Sequence, residues 1–397
     1  MTPTEDKDKP PTFAIDESIL DDSKTIESQF ITDVEHDPPI EIEVGTGIYQ
    51  IIQKESDFEI KLSQEFLDDT AEQQKEGQLN TTKGVLGKRK LKRAKTEEEK
   101  SLLLTTKRDL KPLMEEINGK EEDDKTKIFE NFMQLDERWG IFDTVPEILK
   151  PEGKEAGNLK GKRLSNKLGQ ISSMSLCIEK IIKSSEKEDK RLLLVDFCAG
   201  AGHSSLPLAH LYPNNLTVLI LENKLRSLEV AKTRAEKSKL KNVICLQSNL
   251  EHLNAKFDIG IALHACGPAT DMVLEKVKTA GADFVITPCC YGRIATLVKC
   301  SEVTSKEKFP KSNLLEEKLN INREQFCLLS RAADMDQAKG YEETARRCMR
   351  IVDWDRLLWM NDNDEVSYNI DLMRMFPDNC ATKNHILVGC KKMKIDF

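Results

Sequence analysis

The chain has no cysteine before Cys177, no tryptophan before Trp139, no C-x-x-C pair and no long apolar run. A membrane-spanning helix needs about 18 or more consecutive apolar residues, so none is expected. Without a C-x-x-C pair the common structural zinc ribbons are excluded, and no metal is expected. The opening residues, MTPTEDKDKP, lack both a basic n-region and an apolar h-region, which points to a soluble cytoplasmic protein. The 11 cysteines are odd in number, and several lie in apolar, strand-like contexts, as at Cys245, Cys327 and Cys390. Free thiols in a reducing compartment are the expectation.

Hydrophobic residues are also scarce for 397 residues, at 39%, whereas charged residues reach 32%. Part of the chain therefore cannot bury enough apolar surface to fold, and charge shows which part. Residues 1–80 hold 21 acids against 6 lysines, a net of -15, which leaves +7 on the remainder of a chain whose total is -8. Residues 1–95 read as an acidic, mostly disordered tail, a candidate surface for a protein partner. Within it, residues 40–62 alternate apolar and polar side chains well enough to form strands or dock on a partner. The basic cluster over residues 88–95 is a candidate nuclear localisation signal, an RNA-contacting arm or a solvated entry to the next helix.

Residues 96–186 read as a helical extension packed on the core. Over residues 161–185, Leu164, Leu168, Ile171, Met174, Ile178 and Ile181 recur at steps of three and four, the spacing of one helical face. Residues 187–397 then alternate strands and helices: RLLLVDF, SSLPLAHLY, LTVLILE, KLRSLEVAKTRAEKSKL, VICLQS, FDIGIALHA, ATDMVLEKVKTA and ADFVITPCC. This alternation predicts an α/β fold with a largely parallel sheet covered on both faces. CMRIVDWDRLLWM and NHILVGCKK supply two further strand candidates, the last as an antiparallel edge.

The first strand runs into VDFCAGAGHSS, residues 195–205. Dinucleotide enzymes need G-x-G-x-x-G here, but Ser205 stands at the last glycine position and Asp196 would repel a pyrophosphate. A carboxylate suits a cationic cofactor. S-adenosylmethionine carries a sulfonium and an ammonium; Asp196 can meet the ammonium while Gly200 and Gly202 let the backbone approach. Glu222 ends the next strand, where it can accept bonds from two ribose hydroxyls, and Asn249 follows the third strand, where it can read the adenine edge. Cys198, Leu250 and His264 complete the expected cofactor contacts.

The strings ALHACGPATD and ITPCCYG, with the DFCAGAGH turn and Glu222-Asn223-Lys224, resemble the methyltransferase domain of the glutathione S-transferase C-terminal domain-containing protein family. The likeness runs through CMRIVDWDR and TKNHILVG, over roughly residues 160–395. A more distant likeness is to tRNA 2′-O-methyltransferases. The resemblance implies a class I methyltransferase fold with a Rossmann-like seven-stranded sheet, S-adenosylmethionine as cofactor, and an RNA substrate such as tRNA or rRNA. No glutathione S-transferase-like helical region is read upstream, so no glutathione-related role is carried over.

The acceptor is expected over the ends of strands four and five, among His264, Cys266, Asp271, Cys289, Cys290 and Tyr291. His264 is the natural base, or else bridges two loops by hydrogen bonds. Cys266 and Cys289 admit thiolate attack on a pyrimidine, although the Asp-Ala-Pro-Cys and Pro-Cys-Asn strings of such enzymes are absent; small buried thiols are the alternative. Tyr291 is either a base-stacking platform or a buried tyrosine. A protein side chain as acceptor, and a catalytically silent cofactor-binding module, are the competing functions. Intact Asp196, Gly200, Gly202 and Glu222 argue against the second.

Overall fold

The computed structural model describes residues 40–44, 47–51, 58–62, 105–117, 119, 126–137, 140–185, 191–295, 308–336, 338–362 and 366–391. The basic cluster at 88–95 and Trp139 lie outside these residues. So does most of the acidic tail, and with it the expectation of disorder.

The sheet is built on strands that are apolar on both faces. β5 (Leu192–Phe197) and β6 (Leu216–Glu222) are buried along their whole length, as a parallel strand covered by helices on each side requires. Along β5, Leu193, Val195 and Phe197 enter one core while Leu192 and Leu194 enter the other. β7 (Val243–Ser248), β9 (Ile259–Cys266), β10 (Asp283–Cys289), β11 (Asn369–Arg374) and β12 (His385–Cys390) complete the central strands. Their order is β7-β6-β5-β9-β10-β12-β11, with only β12 antiparallel to its neighbours. The chain leaves β5 for β6 on one side and reaches β9 on the other. The cleft above the carboxyl end of β5 is thus the topological switch point where α/β proteins bind ligands.

The expected seven central strands are present, and one is added at each side, making nine among the described residues. β2 (Gly47–Ile51) pairs antiparallel with β7, and β4 (Met133–Gln134) pairs with β11. β1 (Ile40–Val44) and β3 (Phe58–Leu62) form a small separate sheet with β8 (Leu253–Ala255). The alternation read over residues 40–62 therefore corresponds to strands. β12 is not the edge, because β11 and β4 lie beyond it.

Helices cover both faces. On one lie α2 (Gly161–Ser185), α3 (Ser205–Leu211) and α4 (Leu225–Lys237). α2 buries Ile171, Met174, Ile178 and Ile181 completely, the stripe its periodicity predicts. On the other lie α1 (residues 105–117), α5 (Ala269–Ala280), α6 (Arg323–Ala333) and α7 (Glu342–Asn361). The stretch CMRIVDWDRLLWM, expected as a strand, lies inside α7. Its 13 residues exceed an ordinary strand, and residues 348–357, charged ones included, are all buried because the helix is covered on nearly every side. Among the described residues no helix is long and apolar enough to cross a membrane.

Candidate active site

The turn after β5 is shaped by two glycines. Gly202 has φ +67° and no room for a side chain, since a Cβ would lie 2.9 Å from Leu206 and 3.1 Å from Ile220. Gly200 has φ +58° with open space beside it, so its backbone faces the cleft unobstructed. Glu222, at the end of β6, locks this turn: Oε2 accepts the Gly200 N–H at 2.8 Å and Oε1 accepts the Lys224 N–H at 2.9 Å. Each carboxylate oxygen keeps a second lone pair for a ligand hydroxyl.

Asp196 is 1% exposed, and its Oδ2 is buried without a hydrogen-bond partner. Burial pushes its pKa up to about 7, against the pull of Ser205 and Lys167. A buried carboxylate oxygen with no donor is the place for a ligand cation. Asn249 is half-buried and accepts from Asn223 Nδ2 at 3.3 Å, while Leu250 is buried in the core beside it. Cys198 is exposed on the turn with φ +57°. Partial desolvation against the turn and the carboxylates of Glu222 and Asp196 push its pKa up, so it stays a thiol.

His264 is placed by a β-bulge. β9 and β10 run in register to Leu263 opposite Thr287, and the next pair is Ala265 with Pro288. His264 is the unpaired residue, with φ +69°, and it is exposed to the cleft between buried Leu263 and Ala265. Pro288 has no N–H to give the ladder, which is why the register breaks there. His264 Nε2 lies 3.0 Å from Gln170 Oε1, and Gln170 Nε2 donates to the Cys380 carbonyl at 3.0 Å. Only the amide nitrogen can face that carbonyl, so the amide oxygen faces the histidine. Nε2 then carries the proton, and Nδ1 is the free acceptor. The cleft walls and the Lys167 ammonium lower the His264 pKa to about 4.

Three cysteines sit beside it. Cys266 Sγ and Cys289 Sγ are 2.9 Å apart at the ends of β9 and β10, and Cys290 follows with φ +51°. A hydrogen bond from the Cys289 thiol lowers the Cys266 pKa to about 6, and the same bond raises that of Cys289.

Two expected acceptor residues are elsewhere. Tyr291 is fully buried, its hydroxyl donating to Asp353 Oδ2 at 2.7 Å, so it cannot stack on a base. Asp271 is also fully buried and receives two bonds from Arg356, both at 2.9 Å. Arg356 further reaches Asp353 at 3.3 Å and the Gly267 carbonyl at 3.2 Å, while His385 Nδ1 lies 2.8 Å from Asp353 Oδ2. With Asp334 accepting the N–H groups of Tyr291 and Gly292, this network fixes both loops that carry the cysteines. Its members meet the cleft only through those loops.

Three site residues escaped the sequence reading. Lys167 and Gln170 descend from α2 onto the site. Arg234, buried on α4, donates to the carbonyls of Ile148, Leu149 and Ala201, and so ties the glycine turn to the preceding segment. Its signal was available: Arg234 falls on the apolar face with Leu228, Ala231 and Ala235.

Residues 166–297 match the model of a family described as a methyltransferase domain. That stretch of the chain is similar to a methyltransferase domain. It is 34% identical over 251 residues to the glutathione S-transferase C-terminal domain-containing protein of Bos taurus, covering 62% of this chain and 36% of that one. The human protein of that name is 33% identical, with 63% and 36% covered, and the Drosophila melanogaster homolog 32%, with 61% and 40% covered. The matched region thus spans well under half the length of these curated relatives. Among solved structures, a SAM-dependent methyltransferase from Aquifex aeolicus is similar at 19% identity and a TM-score of 0.22, covering 26% of this chain and 62% of that one. An rRNA methylase from Streptococcus thermophilus is similar at 13% identity and a TM-score of 0.28, covering 52% and 89%. The region similar to a methyltransferase domain holds residues that fit S-adenosylmethionine. Asp196 offers an unpartnered carboxylate to an ammonium, Glu222 retains lone pairs for ribose hydroxyls, and Gly200 leaves the approach open.

Proposed function

We propose that this chain is an S-adenosylmethionine-dependent methyltransferase acting on RNA, with tRNA or rRNA as the expected class. The observation that carries the proposal is the partnerless Asp196 oxygen beside the Gly200–Glu222 bond, at the switch point of a methyltransferase domain. When bound, S-adenosylmethionine supplies an electrophilic methyl group on a sulfonium. The chain's own residues hold and orient it: Asp196 takes the amino group, Glu222 the ribose, and Asn249 with Leu250 the base. His264, neutral at pH 7, accepts the proton of an acceptor hydroxyl or amine at Nδ1, and Gln170 keeps the tautomer that leaves this atom free.

RNA is supported by the net +7 on residues 81–397 and by exposed Lys160, Lys162 and Arg163 at the start of α2, the helix that brings Lys167 and Gln170 to the site. A thiolate mechanism through Cys266 is the second reading, favoured by its lowered pKa.

The test uses the full chain with methyl-labelled S-adenosylmethionine and fractionated cell RNA and protein. Label is expected in RNA. His264→Ala should cut the rate by about 10²–10⁴ while binding S-adenosylhomocysteine as the parent does. Label in protein alone would overturn the substrate, and binding without transfer to either fraction would mark a silent module. A variant at Cys266 that abolishes transfer while His264→Ala does not would establish the thiolate route.

A further inference from the structure

Methyl transfer with His264 as base leaves three sulfurs beside it without a role. Cys266 and Cys289 are opposed in register at the carboxyl ends of adjacent parallel strands, so their side chains rise on the same side of the sheet. Cys290 comes next, in a left-handed conformation that an L-residue adopts only against steric resistance. That conformation turns it back toward the pair. All three Sγ atoms lie within 4.8 Å of one another, and all three residues are partly exposed. Ordinary buried thiols have no reason to converge at the rim of a cleft.

We propose that Cys266, Cys289 and Cys290 form a three-thiolate site for a soft d10 cation, Zn²⁺ or Cu⁺. A donor set made only of sulfur selects such ions over Mg²⁺, Ca²⁺ or Mn²⁺, which prefer oxygen. A Zn–S bond of about 2.3 Å places tetrahedral thiolates about 3.8 Å apart, between the closest pair here and the outer limit of the group. Binding therefore parts Cys266 from Cys289 by a little under 1 Å, roughly a side-chain rotation at two strand ends. Each ligating thiol gives up its proton to solvent as the S–metal bond forms, and no electron is transferred. Three protein ligands leave a fourth position, as in zinc sites that bind an exchangeable group and unlike closed structural sites. This reading gives the Cys290 conformation a purpose and makes the trio ligands.

The full chain, reduced and loaded in separate arms with Zn²⁺ or Cu⁺, is desalted and its metal content measured. About one ion per chain is expected, and competition with a chelator decides which ion is held more tightly. Co²⁺ in the same site should show the intense thiolate-to-cobalt charge-transfer absorption. Cys266→Ser, Cys289→Ser and Cys290→Ser should each lower affinity at least about tenfold, the scale seen when a metal site loses support. Absence of retained metal in the parent, or equal retention by the triple serine variant, would overturn the proposal. S-adenosylhomocysteine titration of the same samples reports the cofactor site separately, so failure of one assignment is not mistaken for failure of the other. It also confirms that the variants fold.

Discussion

Asp196 is legible in the sequence as an acid before a glycine turn, but its chemistry follows from burial. Its pKa is raised to about 7, so below that pH the folded chain holds a proton that the unfolded chain releases near pH 4. This group therefore lowers the stability of the cofactor-free fold as pH rises from about 4 to 7. Docking an ammonium beside it reverses the preference and expels the proton. Affinity for S-adenosylhomocysteine, which keeps the ammonium, should fall as pH drops from 7 toward 5 and level off above 8. Titration calorimetry in buffers of different ionisation enthalpy should detect the released proton. Asp196→Asn should bind weakly with no such slope, and an unchanged slope in that variant would place the titrating group elsewhere. His264 was equally visible as a residue type, but its orientation was not. Gln170 lies 94 positions away, and only the fold brings its amide to Nε2.

Strands whose apolar runs are short and bounded, such as β5, β6 and β7, could be read from pattern alone. α7 could not, because burial on nearly all sides removes the alternation of polar and apolar faces that marks a surface helix. Its charged residues, Asp353, Asp355 and Arg356, serve the interior. Arg356 is 1% exposed and neutralises two fully buried carboxylates, Asp271 and Asp353, linking α7 to α5 and the loop after β9. Arg356→Met should leave Asp271 uncompensated and Asp353 with only Tyr291 and His385, and cost about 3–5 kcal/mol, measured as a shift in the urea unfolding midpoint. A loss of only about 0–1 kcal/mol, that of an exposed ion pair, would contradict the role given to this network. The bulge at His264 carries a sequence mark, since Pro288 inside a central strand forbids regular pairing. What the mark left open was which strand holds the extra residue.

At the scale of the whole molecule, the central sheet sets two cores apart and opens a switch point above β5, β6 and β9. The glycine turn and the acids that follow it were readable because each ends a strand, and successive strand ends line one cleft. Lys167 and Gln170 were not, because they arrive from a helix whose sequence gives no hint of which loop they overlie; Arg234 could be read as buried, but not the turn it holds. The acidic lining of this cleft suits the cationic S-adenosylmethionine and repels the pyrophosphate of a dinucleotide. The most direct measurement is calorimetric titration of the full chain with S-adenosylhomocysteine and, separately, with NAD. One site for S-adenosylhomocysteine, weakened by Asp196→Asn, with no heat from NAD is the predicted result. Tight NAD binding with no response to S-adenosylhomocysteine would contradict it.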